Sequence, residues 1–293
     1  MANLKAIRNR IKSVQATQKI TRAMRLVAAA KVRRAQARVQ AARPFAAAVV
    51  KMLREAASEL AEIDTHEMAI LQRRTVKKVA LIVLSSDRGL CGSYNTTIFR
   101  EVMQRVQELR AENKEPSLIL IGLKAAAFFR HIKIDKHKTY TLLPAVPTPQ
   151  EAKLIADQAV ELFVESKVDA IEIMGTRFIN MLRSEVVPFK FVPIDLPAKA
   201  EHNVLKPERL FEPSIDEVMK KELLPKYVQN VVYQALLEAS ASELAARMNA
   251  MTNASNNARD LISSLTLVYN KARQASITQE LLEIVGGAEA LKG

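Results

Sequence analysis

The stretch Asp87-Arg88-Gly89-Leu90-Cys91-Gly92-Ser93-Tyr94-Asn95 gathers more residues able to do chemistry than any other short segment of the chain. It follows a short apolar run and precedes a helical pattern. That is the place where α/β folds hold phosphates, on a glycine turn and a helix N-terminus. The spacing is Gly-x-x-Gly, however, not Gly-x-Gly-x-x-Gly, and a tight strand-to-helix turn needs glycines for its own backbone. Spacing alone therefore favours a structural turn. Cys91, just ahead of the helix, is a candidate thiol of lowered pKa; a small packing residue is the plainer reading. The four histidines, His66, His131, His137 and His202, are scattered, and with a single cysteine they make no zinc spacing. There is no P-loop, nucleophile elbow or His-Glu-x-x-His pattern. No catalytic, metal-ligating or cofactor-binding residue is assigned on these grounds.

The elements around this stretch fall into three segments. The longest begins after Pro225: Lys226 to Val285 holds no glycine and no proline and stops at Gly286-Gly287. As a helix it would be roughly 90 Å long. From Leu244 its small and apolar residues recur at steps of three and four: Met251, Ala254, Ala258, Leu261, Leu265, Val268, Ala272, Ala275. That is a coiled-coil seam, and it needs a partner of similar length.

Residues 3 to about 60 supply one. Leu4, Ile7, Ile11 and Val14 open a seam that resumes as Ala28, Val32, Ala35, Val39 and Ala42. Between them the register puts Gln18, Thr21 and Arg25 on the seam, with the apolar set Ile20, Met24 and Val27 one residue off it. A register slip is expected there, with this part of the helix facing something other than its helical partner. Pro44 is expected to kink the helix or open a second one.

The middle has a different texture, with ten of the eleven prolines between Pro116 and Pro225. Strands are expected at 78–84, 118–121, 169–174 and 186–194. The last lies near an edge, because Pro188 and Pro193 cannot donate to a ladder. Helices are expected at 96–110, 125–129 and 149–165, the third with Thr148 as N-cap and Pro149 at its first position. Strand alternating with helix gives a small α/β domain with a mostly parallel sheet. The fold class is thus an α/β domain inserted between two long helices that form an antiparallel coiled coil. Its segments are 1–60, 75–200 and 214–293, with a Pro-containing connection at 197–213.

Charge is distributed unevenly. The net charge is +13, yet residues 1–54 hold 14 Lys or Arg and no acid, while the rest hold 30 basic and 31 acidic residues. All of the excess sits on the first helix, which makes it a local feature for a partner. A mitochondrial targeting peptide is Arg-rich and acid-poor too, but such peptides are Ser-rich, and this segment has Ser13 alone before Ser58. No apolar run approaches the roughly 20 residues of a membrane span. A single cysteine, Cys91, allows no internal disulfide and suits a reducing compartment.

Three stretches carry a family resemblance. They are Ile11 to Met24 (IKSVQATQKITRAM), Ser86 to Gly92 (SDRGLCG), and Tyr269 to Leu281 (YNKARQASITQEL) through Ile284 to Gly286-Gly287-Ala288. With the helix–domain–helix plan, the chain resembles the gamma-subunit family of F-type ATP synthases over essentially its whole length. The third stretch is highly specific. The resemblance implies a central rotor shaft inside a ring of three alpha and three beta subunits, standing on the epsilon subunit and the membrane c-ring. Such a shaft couples proton flow to ATP synthesis or hydrolysis and does no bond chemistry itself. It also implies that Met24, Arg247, Gln274, Thr278 and Glu280 bear on the beta subunits and tune coupling, and that Leu281 to Leu291 sit in an apolar sleeve. Arg247 falls on the seam register, which turns it toward the other helix instead. The implied setting is peripheral, on the cytoplasmic side of a bacterial inner membrane, with the match beginning too near Met1 to leave room for a transit peptide.

Two departures stand out. Ser93 replaces a frequent glycine, with no expected harm. The two-cysteine regulatory insertion of chloroplast-type members is absent, so no thiol switch is expected; a DTT-dependent ATPase activity would contradict this. Two competing readings are discriminated simply. A nucleic-acid-binding coiled coil using the basic helix predicts binding that falls steeply with salt, but Phe45 is the only aromatic before Tyr94. An α/β nucleotide enzyme working through Asp87 to Asn95 predicts nucleotide binding by the isolated chain.

Overall fold

The computed structural model describes residues 4–59, 68–144, 146–194 and 214–290. Helix α1 (Leu4–Glu59) is followed by β1 (Lys78–Leu84), α2 (Tyr94–Ala111), β2 (Glu115–Ile121), α3 (Leu123–Phe129) and β3 (Asp135–Tyr140). Then come α4 (Pro149–Val164), β4 (Ala170–Phe178), β5 (Ser184–Val192), α5 (Ile215–Val218), a π-helical turn at Met219–Leu223 and α6 (Leu224–Ala290). The two long helices pair, with a mixed α/β domain inserted between them in sequence. The chain divides into two compact units: Met1–Ala29 with Arg247–Gly293, and Ala30–Ala246. The connection expected at 197–213, His66, His202 and Leu291 lie outside the described residues.

The larger unit is a three-layer sandwich around one sheet of order β3-β2-β1-β4-β5. β1 is central, pairing parallel with β2 and β4, and it is buried from Val79 to Leu84. That is why its run is apolar without alternation. Ala80, Ile82 and Leu84 face α4 and the start of α6, through Ile155, Phe163, Leu224 and Val228. Val79, Leu81 and Val83 face α2 and α3, through Ile98, Val102, Val106 and Phe129. β5 is antiparallel and at the edge, as Pro188 within it requires; Pro193 lies just beyond the strand. α4 opens with Pro149 at its start and a capping box between Thr148 and Glu151. A further cluster joins Val32 and Val39 of α1 to Leu237, Ala241 and Leu244 of α6, with Phe178 at the end of β4.

β3 was not legible in the sequence. Its residues, Asp-Lys-His-Lys-Thr-Tyr, offer no apolar run, because it is an edge strand beside β2 with none of its residues buried. Pro44 does not open a second helix: α1 runs through it. Pro44 is exposed, so the carbonyl left without a helical donor can turn to water. Nor does α6 stop at Gly286-Gly287, since it continues to Ala290 at the helix-propensity cost of two glycines, about 1 kcal/mol each.

In the smaller unit the seam of α1 keeps its register. Leu4, Ile7, Ile11, Val14, Gln18, Thr21, Arg25 and Ala28 are all at least half-buried, and Thr21 and Ala28 fully so. The expected slip does not occur. Ile20 and Val27 are exposed at 61% and 56%, while polar residues occupy the interface. On α6 the covered positions are Met251, Thr252, Ala254, Ser255, Ala258, Ile262, Leu265, Tyr269, Ala272 and Ser276. The expected residues Leu261, Val268 and Ala275 are instead exposed, each one residue off the seam. Steps of three and four both fit a 3.6-residue helix, so the choice between flanking rows is made by the partner, not by apolarity.

Candidate functional site

The glycine turn after β1 is closed by its own side chains. The Ser86 backbone N–H donates to Asn95 Oδ1 at 3.1 Å, and Asn95 Nδ2 donates back to Ser86 Oγ at 2.8 Å and to the buried Cys91 Sγ at 3.2 Å. Asp87 Oδ1 accepts from the Leu123 N–H at 2.8 Å, at the first residue of α3, and from the Leu142 N–H at 3.3 Å. The Ser85 hydroxyl donates to Ile121 O at 2.9 Å and accepts the Ala125 N–H at 2.9 Å. Asp87 thus places a negative charge at the N-terminus of α3.

The turn has positive φ at Leu90 (64°) as well as at its second glycine, and a third position lies at the end of β2. Gly92 has φ 60°, and Gly122 has φ 99° with a hypothetical Cβ only 2.4 Å from Ser85 O. Ser93 caps α2 at φ −84°, an ordinary conformation for a residue with a side chain, so serine in place of glycine is accommodated. The loop is a built turn joining β1, β2 and α2.

The five residues singled out by family resemblance all lie in the smaller unit. Met24 on α1 and Arg247 on α6 are half-buried. Gln274, Thr278 and Glu280 are exposed on α6. The Thr278 hydroxyl donates to Gln274 O at 2.9 Å, and Glu280 accepts from the Ser276 hydroxyl at 3.3 Å. Arg247 and Gln274 are separated along one helix by about 40 Å. The five therefore form no single pocket. They lie at two stations along a coil, and at the outer one Thr278 and Glu280 are hydrogen-bonded within their own helix. From Ile277 to Ala288 every residue of α6 is exposed, including Leu281, Leu282, Ile284 and Val285.

One feature escaped the sequence reading. A cleft between the paired helices is lined by Gln18, Lys19, Arg22 and Arg25 of α1 and by Thr252, Ser255, Asn256 and Arg259 of α6. Its signal was present as the polar interruption of the α1 seam and the absence of acid before Glu55. Among the described residues no group of three or more His, Cys, Asp or Glu is placed to hold a metal, and no helix is long and apolar enough to cross a membrane.

Comparison with known proteins gives a consistent result. The family model described as ATP synthase matches residues 3–291. The chain is 45% identical over 318 aligned positions to the ATP synthase gamma chain of a Synechococcus species, covering all of both chains. It is 45% identical over 317 positions to that of a Cyanothece species, again over the full length of each. Among solved structures it resembles a chain in the central stalk and c-ring of Tetrahymena thermophila mitochondrial ATP synthase, at 28% identity and a TM-score of 0.62, covering 80% of this chain and 99% of that one. It also shares the fold of a chain in Euglena gracilis mitochondrial ATP synthase, at 20% identity and a TM-score of 0.65, with 98% and 94% covered.

Proposed function

Because the chain belongs to the gamma-chain family of ATP synthases, we propose that it is the central stalk of the rotor, turning inside a ring of three alpha and three beta subunits. Gamma chains are non-catalytic subunits of the complex, and this chain is one of them. The observation that carries the reading is identity of 45% over the full length of both chains. The architecture supports it. Two paired helices rich in small side chains suit a shaft, and the glycine turn is hydrogen-bonded by its own side chains.

On this reading the chain transmits a conformational bias. Each orientation of an asymmetric coil presents different residues to each catalytic subunit, so the three are held in different states at once. Met24, Arg247, Gln274, Thr278 and Glu280 bear on the beta subunits, and the exposed apolar end of α6 runs in an apolar sleeve. The α/β domain meets the epsilon subunit and the c-ring. Proton flow through that ring turns the rotor, at the cytoplasmic side of a bacterial inner membrane. With Cys91 buried and no second cysteine, the chain has no dithiol to switch.

Co-purification tests the reading. The tagged chain is recovered from its native membranes under gentle solubilisation, and the complex is weighed. Three alpha and three beta chains per copy, with Mg-ATPase activity, is the expected result. Recovery alone, or with nucleic acid, would overturn it and shift attention to the basic helix.

A further inference from the structure

The cleft between α1 and α6 in the smaller unit, about 490 Å³ in volume, holds four cationic residues, Lys19, Arg22, Arg25 and Arg259, and no carboxylate. Lys19, Arg22 and Arg25 follow one another at steps of three, so they crowd one face of α1. No acid precedes Glu55 on that helix, and Asp260, next to Arg259 in sequence, does not line the cleft. Among the described residues none of the four is in an ion pair.

The remaining lining residues are suited to oxygen atoms. The Ser255 hydroxyl is half-buried and makes no hydrogen bond within the described chain. Arg259 donates to Asn256 Oδ1, which leaves the Asn256 amide hydrogens to donate elsewhere. No aromatic or large apolar side chain lines the cleft, so nothing there can stack on a base or hold a lipid tail.

We infer that this cleft is a binding site for a condensed phosphate chain of the pyrophosphate or tripolyphosphate class. The charge of such a chain matches that of the cations gathered here. Its oxygens suit the forked N–H groups of arginine, which bind phosphate two bonds at a time. Its length suits a cleft that runs between two helices instead of closing around one tetrahedral ion. Binding neutralises a like-charge cluster that has no acidic partner among the described residues. The inference goes beyond the rotor reading and is independent of it, since it rests on the paired helices alone.

The test is calorimetric titration of the full chain with tripolyphosphate and with pyrophosphate, at ionic strength held constant with potassium chloride because exposed charges are screened by salt. Saturable one-site binding is expected, weakened at least about tenfold by Arg22→Gln with Arg25→Gln. Arg8→Gln with Lys12→Gln removes the same charge from the same helix outside the cleft and is expected to leave binding unchanged. If the cleft pair loses helical circular dichroism, Arg259→Gln on the other helix serves in its place. ATP competing as well as tripolyphosphate would identify the nucleotide's tail as an alternative source of the same chain. ATP binding at least about tenfold tighter would require a base pocket that the cleft lacks, and would overturn the site as drawn. So would absence of saturable binding, equal loss in the Arg8/Lys12 variant, or poly-glutamate competing as well as tripolyphosphate, which would assign the cleft to an acidic protein segment.

Discussion

Arg105 of α2 and Glu172 of β4 form a bidentate ion pair, Nε to Oε2 at 2.8 Å and Nη2 to Oε1 at 2.7 Å, with their side chains only 24% and 15% exposed. It ties the helix on one side of the sheet to a strand beside β1, and Glu108 adds a second carboxylate at 3.1 Å from Arg105 Nη1. The Glu172 hydrogen bonds, the largest influence, raise the arginine's proton affinity further above its ordinary value.

Breaking this pair from one side leaves the other charge in a poorly solvated place. Arg105→Ala is expected to destabilise the larger unit by about 2 kcal/mol, between the values for exposed and fully buried pairs. Urea denaturation of the full chain measures it, and a loss below about 0.5 kcal/mol would show the pair to be ornamental.

Gly122 is the least replaceable residue near the glycine turn. A Cβ there meets backbone, and the positive φ adds strain. Gly122→Ala is expected to cost at least about 3 kcal/mol and to lower soluble yield. Gly89→Ala, where the added atom would meet only the flexible end of Lys124 at 3.7 Å, is the comparison expected to be mild. Equal stability of the two variants would contradict the geometry.

Three tyrosines raised by burial, Tyr94, Tyr140 and Tyr227, give the chain an alkaline limit. Burial pushes the Tyr140 hydroxyl up to about 12. Burial also raises Tyr94, whose hydroxyl donates to Ala239 O at 3.2 Å. From the ordinary tyrosine value near 10 upward, the folded chain therefore keeps protons that the unfolded chain has released. Stability is present in full below that value and falls as pH rises through about 12. Denaturation midpoints at pH 9, 10 and 11 should decline, and Tyr140→Phe should flatten the decline. An unchanged slope in that variant would refute the assignment.

For the coupling residues the expected readout is function without loss of fold. Arg247→Ala or Gln274→Ala is expected to lower ATP synthesis by the assembled complex about fivefold, the lower end of ordinary coupling energies. Far-ultraviolet circular dichroism and the denaturation midpoint should stay put, because both residues lie outside the sheet unit. Synthesis at the parental rate in both variants would remove them from the site.

What the sequence discloses depends on whether burial or pairing decides the element. β1 is readable because its six buried residues are all apolar, and α4 because Thr148 and Pro149 mark its start. β3 is invisible because it exists through its ladder to β2, with a register shift between Leu118 and Ile119, and not through any apolar pattern of its own. The coil is intermediate. Its existence follows from the three-and-four spacing, but Ile20 and Val27 show that apolar residues name what would gain from cover, not what the partner covers. The family motif in Tyr269 to Leu281 is easily recognised, while the cleft at Arg22 and Arg259 needs two helices placed side by side before it exists at all.

The uncovered end of α6 has a mechanical consequence. Where α1 and α6 run together, a twisting load is shared by two helices that brace each other through side-chain packing. From Ile277 to Ala288 no second helix among the described residues covers it, and Gly286 and Gly287 have no neighbouring atom within 4 Å of the place a side chain would fill. There the load falls on the i-to-i−4 hydrogen bonds of one helix alone, and two residues of poor helix propensity sit near its tip. A single uncovered helix twists more easily than a braced pair, so a probe fixed to that segment is expected to lag behind one fixed to Ala258 when the coil is turned against resistance.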